Sequence, residues 1–139
     1  MPYENIAVAL AGKKDEISMI DEAVRLAITL KAKLSVIHVN EPRAGEISMM
    51  MDSPKKFVKA DFVKMFADAG HEEIAQKIKV KITANKSVSS GLAKLALGCN
   101  LLIIGHSRLG KLREALTDSI DEIIMNNVHC PVLIIHKQN

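Results

Sequence analysis

Short aliphatic runs that do not alternate with polar residues recur along this chain. Residues 6–10 read IAVAL, 34–39 LSVIHV, 100–104 NLLII and 131–135 PVLII. A strand with one wet face alternates apolar and polar side chains. A strand that is apolar throughout is covered on both faces, as in parallel sheets. Between the first two runs, Ile17, Ile20, Val24, Ala27 and Leu30 recur at helical spacing, so residues 16–30 are predicted as an amphipathic helix. Asp15 is its expected N-cap, and Glu16 suits the positive helix terminus. The chain therefore opens as a βαβ unit, with parallel strands and a right-handed crossover.

The remaining segments extend this pattern. Residues 40–53 read as a loop holding Met49, Met50 and Met51, which are expected to pack over an exposed end of the sheet or to offer an adaptable binding surface. A helix is predicted from Pro54, with Phe57, Phe62, Met65 and Phe66 as a loose stripe and Gly70 as an interruption. Residues 77–83 alternate strictly, with Lys77, Lys79 and Lys81 on one face. Repeated lysines guard a sheet edge, so this strand is placed there; a polyanion-binding patch is the alternative. Residues 87–97 predict a helix with Val88, Leu92, Leu95 and Ala96 inward, stopped by Gly98. A loop over residues 105–110, a helix running to Asn126 and Asn127, and the final strand complete an α/β chain. The result is a single domain over residues 1–139, with an open, three-layer, five-stranded parallel sheet.

Composition narrows the function. At 139 residues and 48% hydrophobic, the chain can build one core without disulfide staples. A net charge of +3 and 3% aromatic residues argue against a nucleic-acid module, which uses denser basic stripes and stacking rings. No apolar run is long enough for a membrane span, and the start shows no secretory leader. The expectation is a cytoplasmic protein. Cys99 and Cys130 precede neighbouring strands at the amino end of the sheet and read as reduced, small core residues.

Ligands of open α/β sheets bind beyond the carboxyl ends of the strands. The candidate loops are residues 11–15, the segment from Asn40, and GHSRLGKLREALTDSI over 105–120. In the last, loop amides and a helix start form an anion site, with Arg108, Lys111 and Arg113 adding positive charge. His106 beside Ser107 has the residue types of a base and a nucleophile, but adjacent residues seldom make a productive pair, and no orienting acid is evident. His38, His129 and His136 read as structural, without metal-ligand spacing. No catalytic residue and no metal site is predicted.

These pieces, IAVAL followed by Gly12, LSVIHV with His38, NLLIIGHS and NNVHCPVLIIHK, resemble the universal stress protein family in order and spacing over essentially the whole chain. The resemblance implies a flavodoxin-like or adenine nucleotide alpha hydrolase-like layout with strand order 3-2-1-4-5. It also implies a homodimer through the last strand, Val132 to His136, and a non-enzymatic role in stress response. One branch of the family binds ATP through G-x2-G-x9-G-[S/T] after the fourth strand and an Asp after the first. Mapped onto this chain, Gly105 and Ser119 match. Arg108 and Asp118 stand where glycines are required, Ala11 replaces the Asp, and Gly12 matches the position after it. The candidate nucleotide site thus comprises Ala11, Gly12, Val39, Gly105, His106, Ser107, Arg108, Gly110, Asp118 and Ser119. Gly110 offers a shifted loop glycine. A carboxylate at Asp118 would repel phosphate, and Arg108 would either block the loop or meet a phosphate with its charge. The implied state is a degenerate site with weak or absent binding of ATP; the alternative is a nucleotide sensor that still takes ATP or AMP.

Overall fold

The structure is a computed structural model that describes residues 3–46, 54–107, 124 and 126–137. Five parallel strands form one sheet in the order β3-β2-β1-β4-β5. They are β1 (Asn5–Ala9), β2 (Lys33–Asn40), β3 (Lys79–Ala84), β4 (Leu101–Ser107) and β5 (Val132–Lys137). The helices are α1 (Ile17–Leu30), α2 (Lys59–Asp68), α3 (Glu72–Ala75) and α4 (Val88–Leu95). This is the flavodoxin-like order that the family resemblance implied. The switch point, where the chain reverses its direction across the sheet, lies between β1 and β4.

The aliphatic runs are buried on both faces. Ile6, Val8, Val36 and Ile103 join Met19, Ile20, Phe62 and Phe66 in the core under α1 and α2. Ala7, Ile37, Leu102 and Ile104 face Leu92, Ala96 and Ile124 on the other side. Alternate residues of one strand thus feed two cores, which is why no polar position interrupts the runs.

β3 takes the edge its lysines predicted. Lys79 and Lys81 lie within the strand, whereas Lys77 precedes it. The opposite edge is β5, where Leu133 and Ile134 remain 36% and 37% exposed.

Several boundaries differ from the sequence reading. The helix expected from Pro54 begins only at Lys59. Its start is fixed by Asp61, whose Oδ2 accepts from the Val58 amide at 2.8 Å while Lys55 lies 3.1 Å from Oδ1. That amide first, and Lys55 second, hold the Asp61 carboxyl below its usual 3.8. Phe57 is consequently not a helix residue. In α4, Ser87 is the N-cap, its Oγ accepting from the Ser90 amide at 3.2 Å. Val88, expected inward, is 43% exposed. Asp15 does not cap α1: a short 3₁₀ turn, Lys14–Glu16, precedes the helix and puts Glu16 at the N-cap position, where its carboxylate accepts from the loop amides of residues 11–13 and not from the helix. β4 continues three residues beyond Ile104, so Gly105, His106 and Ser107 are strand rather than loop, in register with Ile135, His136 and Lys137. A glycine ends a strand only if the partner stops offering hydrogen bonds, and β5 does not.

Candidate functional site

The carboxyl ends of β1, β2, β4 and β5 frame a cleft of about 270 Å³ at the switch point. Ala9, His38, Val39, Ile104, Gly105 and Lys137 come from the strands, and Leu10 and Ala11 from the residues just after β1. Val88 and Leu92 of α4, Ile124 and Glu16 complete the lining. A larger groove, about 760 Å³, lies at the opposite end of the sheet between α1 and α3. The strand-end rule favours the smaller cleft.

Glu16 organises one wall. It is 1% exposed. Its Oε1 accepts from the amides of Ala11, Gly12 and Lys13 at 3.1, 2.8 and 2.9 Å, and Oε2 accepts from Ala11 at 2.8 Å. Lys137, at the end of β5, places Nζ 3.6 Å from Oε2. Converging backbone amides make a site for an anion, and here the anion is the chain's own carboxylate. The loop can close this tightly because Gly12 has φ +86°, a left-handed conformation open to glycine, and because Phe57 lies where a Cβ would project. Gly105 serves packing rather than torsion. A Cβ there would run into the Met19 thioether and the Lys137 stem, so the bare backbone lets Lys137 reach Glu16.

The second wall is held by His38. Its Nδ1 donates to the Leu10 carbonyl at 2.6 Å, and its Nε2 lies 3.0 Å from Asn40 Oδ1. Asn40 accepts from the Phe57 amide at 3.1 Å and donates to the Phe57 carbonyl at 3.0 Å. The imidazole stacks edge-on with Phe57 at 4.9 Å and tilts against Phe62 at 5.1 Å. Both ring nitrogens are engaged, so His38 acts as a strut, as the sequence reading had it.

Of the predicted site residues, Ala11, Gly12, Val39 and Gly105 are at or beside this cleft. His106 lies in β4, edge-to-face with His136 at 5.6 Å. Ser107 closes the same strand. Arg108, Gly110, Asp118 and Ser119 lie outside the described residues, as do Met49, Met50 and Met51. Sequence reasoning passed over Lys137 and gave Glu16 only a helix-terminal role. The Lys13-x-x-Glu16 spacing carries the signal, since an acid three residues after a helix start reaches back to the amide before it.

Cys99 and Cys130 line one small pocket with His129, at the amino end of the sheet. Burial pushes both thiols above their usual 9.0, and in Cys130 the neighbouring Cys99 adds to the rise. Both are therefore thiols at neutral pH and weak nucleophiles, consistent with a packing role. Among the described residues no group of His, Cys, Asp and Glu could hold a metal ion. No helix among them is long and apolar enough to cross a membrane.

The sequence pattern of the universal stress protein family matches residues 2–136. The chain belongs to the universal stress protein family. It is 23% identical to the universal stress protein YxiE of Bacillus subtilis (strain 168), an alignment covering 96% of this chain and 99% of that protein. Solved structures share the fold. A universal stress protein in complex with cAMP superposes with a TM-score of 0.66 at 18% identity, covering 99% of this chain and 100% of that one. A universal stress protein from Archaeoglobus fulgidus in complex with dAMP gives 0.60 at 17% identity, covering 97% and 99%.

Proposed function

We propose that this universal stress protein is a non-enzymatic regulatory module of the cytoplasmic stress response, a homodimer whose nucleotide cleft is degenerate. The observation that carries the reading is Glu16. Its buried carboxylate already occupies the three amides that an entering anion would use. Ala11 supplies no carboxylate to a base, and Arg108 and Asp118 replace the glycines of the phosphate-binding motif. Relatives of the same fold in complex with cAMP and dAMP support an adenine compound as the ligand class of the cleft. The exposed Leu133 and Ile134 on an edge strand support pairing with a second copy.

Titration of a fluorescent ATP analogue tests the ligand reading. The unmodified protein is expected to show no saturation in the micromolar range and to purify without nucleotide. The triple variant Ala11→Asp, Arg108→Gly, Asp118→Gly is expected to gain at least tenfold in affinity. Micromolar ATP binding by the unmodified chain would establish the nucleotide sensor instead. An unimproved triple variant would show that these positions are not the cause of the loss.

A further inference from the structure

The amino end of the sheet carries both cysteines of the chain, and the fold brings them to neighbouring positions. Cys99 lies in the turn between α4 and β4, and Cys130 in the segment that leads into β5. The two strands pair from Leu102 with Val132 onward. The Leu102 amide also donates to the Pro131 carbonyl at 3.0 Å, so the backbones already run together one residue after Cys130. The Leu102 backbone reaches the Cys130 sulfur as a hydrogen-bond partner as well. Both thiols pack against the core of Leu92, Ala96, Leu102 and Ile104, and so project from the same face of the sheet. They line one pocket of about 70 Å³.

Neighbouring strands lie about 4.8 Å apart, inside the ~4.4–6.8 Å Cα separation that a disulfide spans. The turn holds Cys99 in place. Its amide donates to the Ala96 carbonyl at 3.1 Å, and the amide of Asn100 donates to the Asn5 carbonyl at 2.7 Å. Among the described residues no third ligand joins the thiols in a metal-binding group. A bond between the two sulfurs is the chemistry left to them. Both residues are half-buried, so a small oxidant can reach them. Burial raises both thiols, and Cys99 adds to the rise in Cys130. The reaction is therefore slow at neutral pH. The reduced pair also gains nothing from a stabilised thiolate, which is the condition that makes a disulfide easily lost.

We propose that Cys99 and Cys130 form a disulfide within the chain when a peroxide oxidises the protein. One thiolate attacks the O–O bond and becomes a sulfenic acid, and the second sulfur then displaces the sulfenic oxygen. Two S–H bonds and the O–O bond break. One S–S bond and two O–H bonds form, two electrons pass from sulfur to peroxide, and both thiol protons leave in two waters. The bond ties the end of α4 to the start of β5. It closes a loop over residues 99–130 that holds all of β4 and the motif positions from Gly105 to Ser119. The step needs no nucleotide, and it gives a stress-response protein a chemical stress that its own residues register.

The test treats the reduced full chain with hydrogen peroxide, unfolds it in the presence of a maleimide and weighs it by intact-mass spectrometry. The expected product is a single chain lighter by two hydrogen atoms, free of maleimide, with Cys99 and Cys130 in one disulfide-linked peptide. Its melting temperature is expected to exceed that of the reduced chain by about 5 °C or more, a rise that dithiothreitol reverses. Cys99→Ser and Cys130→Ser, each checked for folding by circular dichroism, are expected to show no such rise. Two maleimides on the peroxide-treated chain, a sulfinic acid at either cysteine, or a disulfide between chains overturns the inference. So does an unchanged or lower melting temperature in the bonded chain, or an equal rise in either serine variant.

Discussion

Gly12 shows how a single residue holds the cleft closed. Its positive φ turns the chain after β1 so that three successive amides converge on Glu16, and its missing side chain leaves room for the Phe57 ring. An alanine there must adopt a backbone conformation that costs about 1–3 kcal/mol, and its methyl group must displace Phe57. Phe57 cannot yield freely, because Asn40 grips both its amide and its carbonyl. Gly12→Ala is therefore expected to destabilise the fold by about 2 kcal/mol or more. It should also increase the exposure of the residue 11–13 amides. Urea denaturation measures the first effect and amide hydrogen exchange the second. A variant as stable as the parent would show that the turn at Gly12 is not under tension.

At the scale of elements, the loop between β1 and α1 is tied to one side chain. Asp15 looks like the cap in the sequence, yet its Oδ1 is buried without a hydrogen-bond partner, while Glu16 collects the amides. Removing that acceptor with Glu16→Ala leaves the part-buried amides of residues 11–13 without this partner and takes the carboxylate from Lys137. Losing hydrogen bonds to a charged group is expected to cost about 2–4 kcal/mol. Glu16→Gln should cost less than half of that. Thermal melts of the two variants check the ordering, and equal losses would mean that the charge, not the acceptor geometry, supports the turn. The strands were legible because burial on both faces leaves an uninterrupted aliphatic run, and β3 because its lysines mark an edge. The end of β4 was not, because Gly105 resembles a stop until β5 is placed beside it. The start of α2 was missed because a Pro at position 54 suits a helix start, whereas tertiary contacts at Asn40 divert Phe57. Of the site, Ala11, Gly12, Val39 and Gly105 were legible from strand ends. The Glu16–Lys137 pair was not, because it joins residues 121 positions apart through a register the sequence does not display.

For the whole molecule, the asymmetry of the sheet edges singles out β5 as the edge for the proposed dimer. β3 presents Lys79 and Lys81, so a second copy approaching there would oppose like charges and unmatched lysine stems. β5 carries no charge between Val132 and Ile135, and Leu133 and Ile134 remain more than a third exposed. An uncovered apolar edge has unpaired backbone groups as well as greasy side chains, and self-pairing satisfies both. β5 also ends in Lys137, the residue that locks Glu16 at the cleft, so a partner on this edge would steady the ion pair as it covers the strand. Leu133→Lys recreates on β5 the guard that β3 already has. It is expected to convert the proposed dimer to monomer by light scattering at micromolar concentration, with the far-ultraviolet circular dichroism unchanged, because Leu133 does not belong to either buried core. The same substitution on β3, Val80→Lys, should leave the dimer mass intact in whatever fraction folds. A Leu133→Lys protein that keeps the dimer mass would place the interface on another surface and uncouple assembly from Lys137.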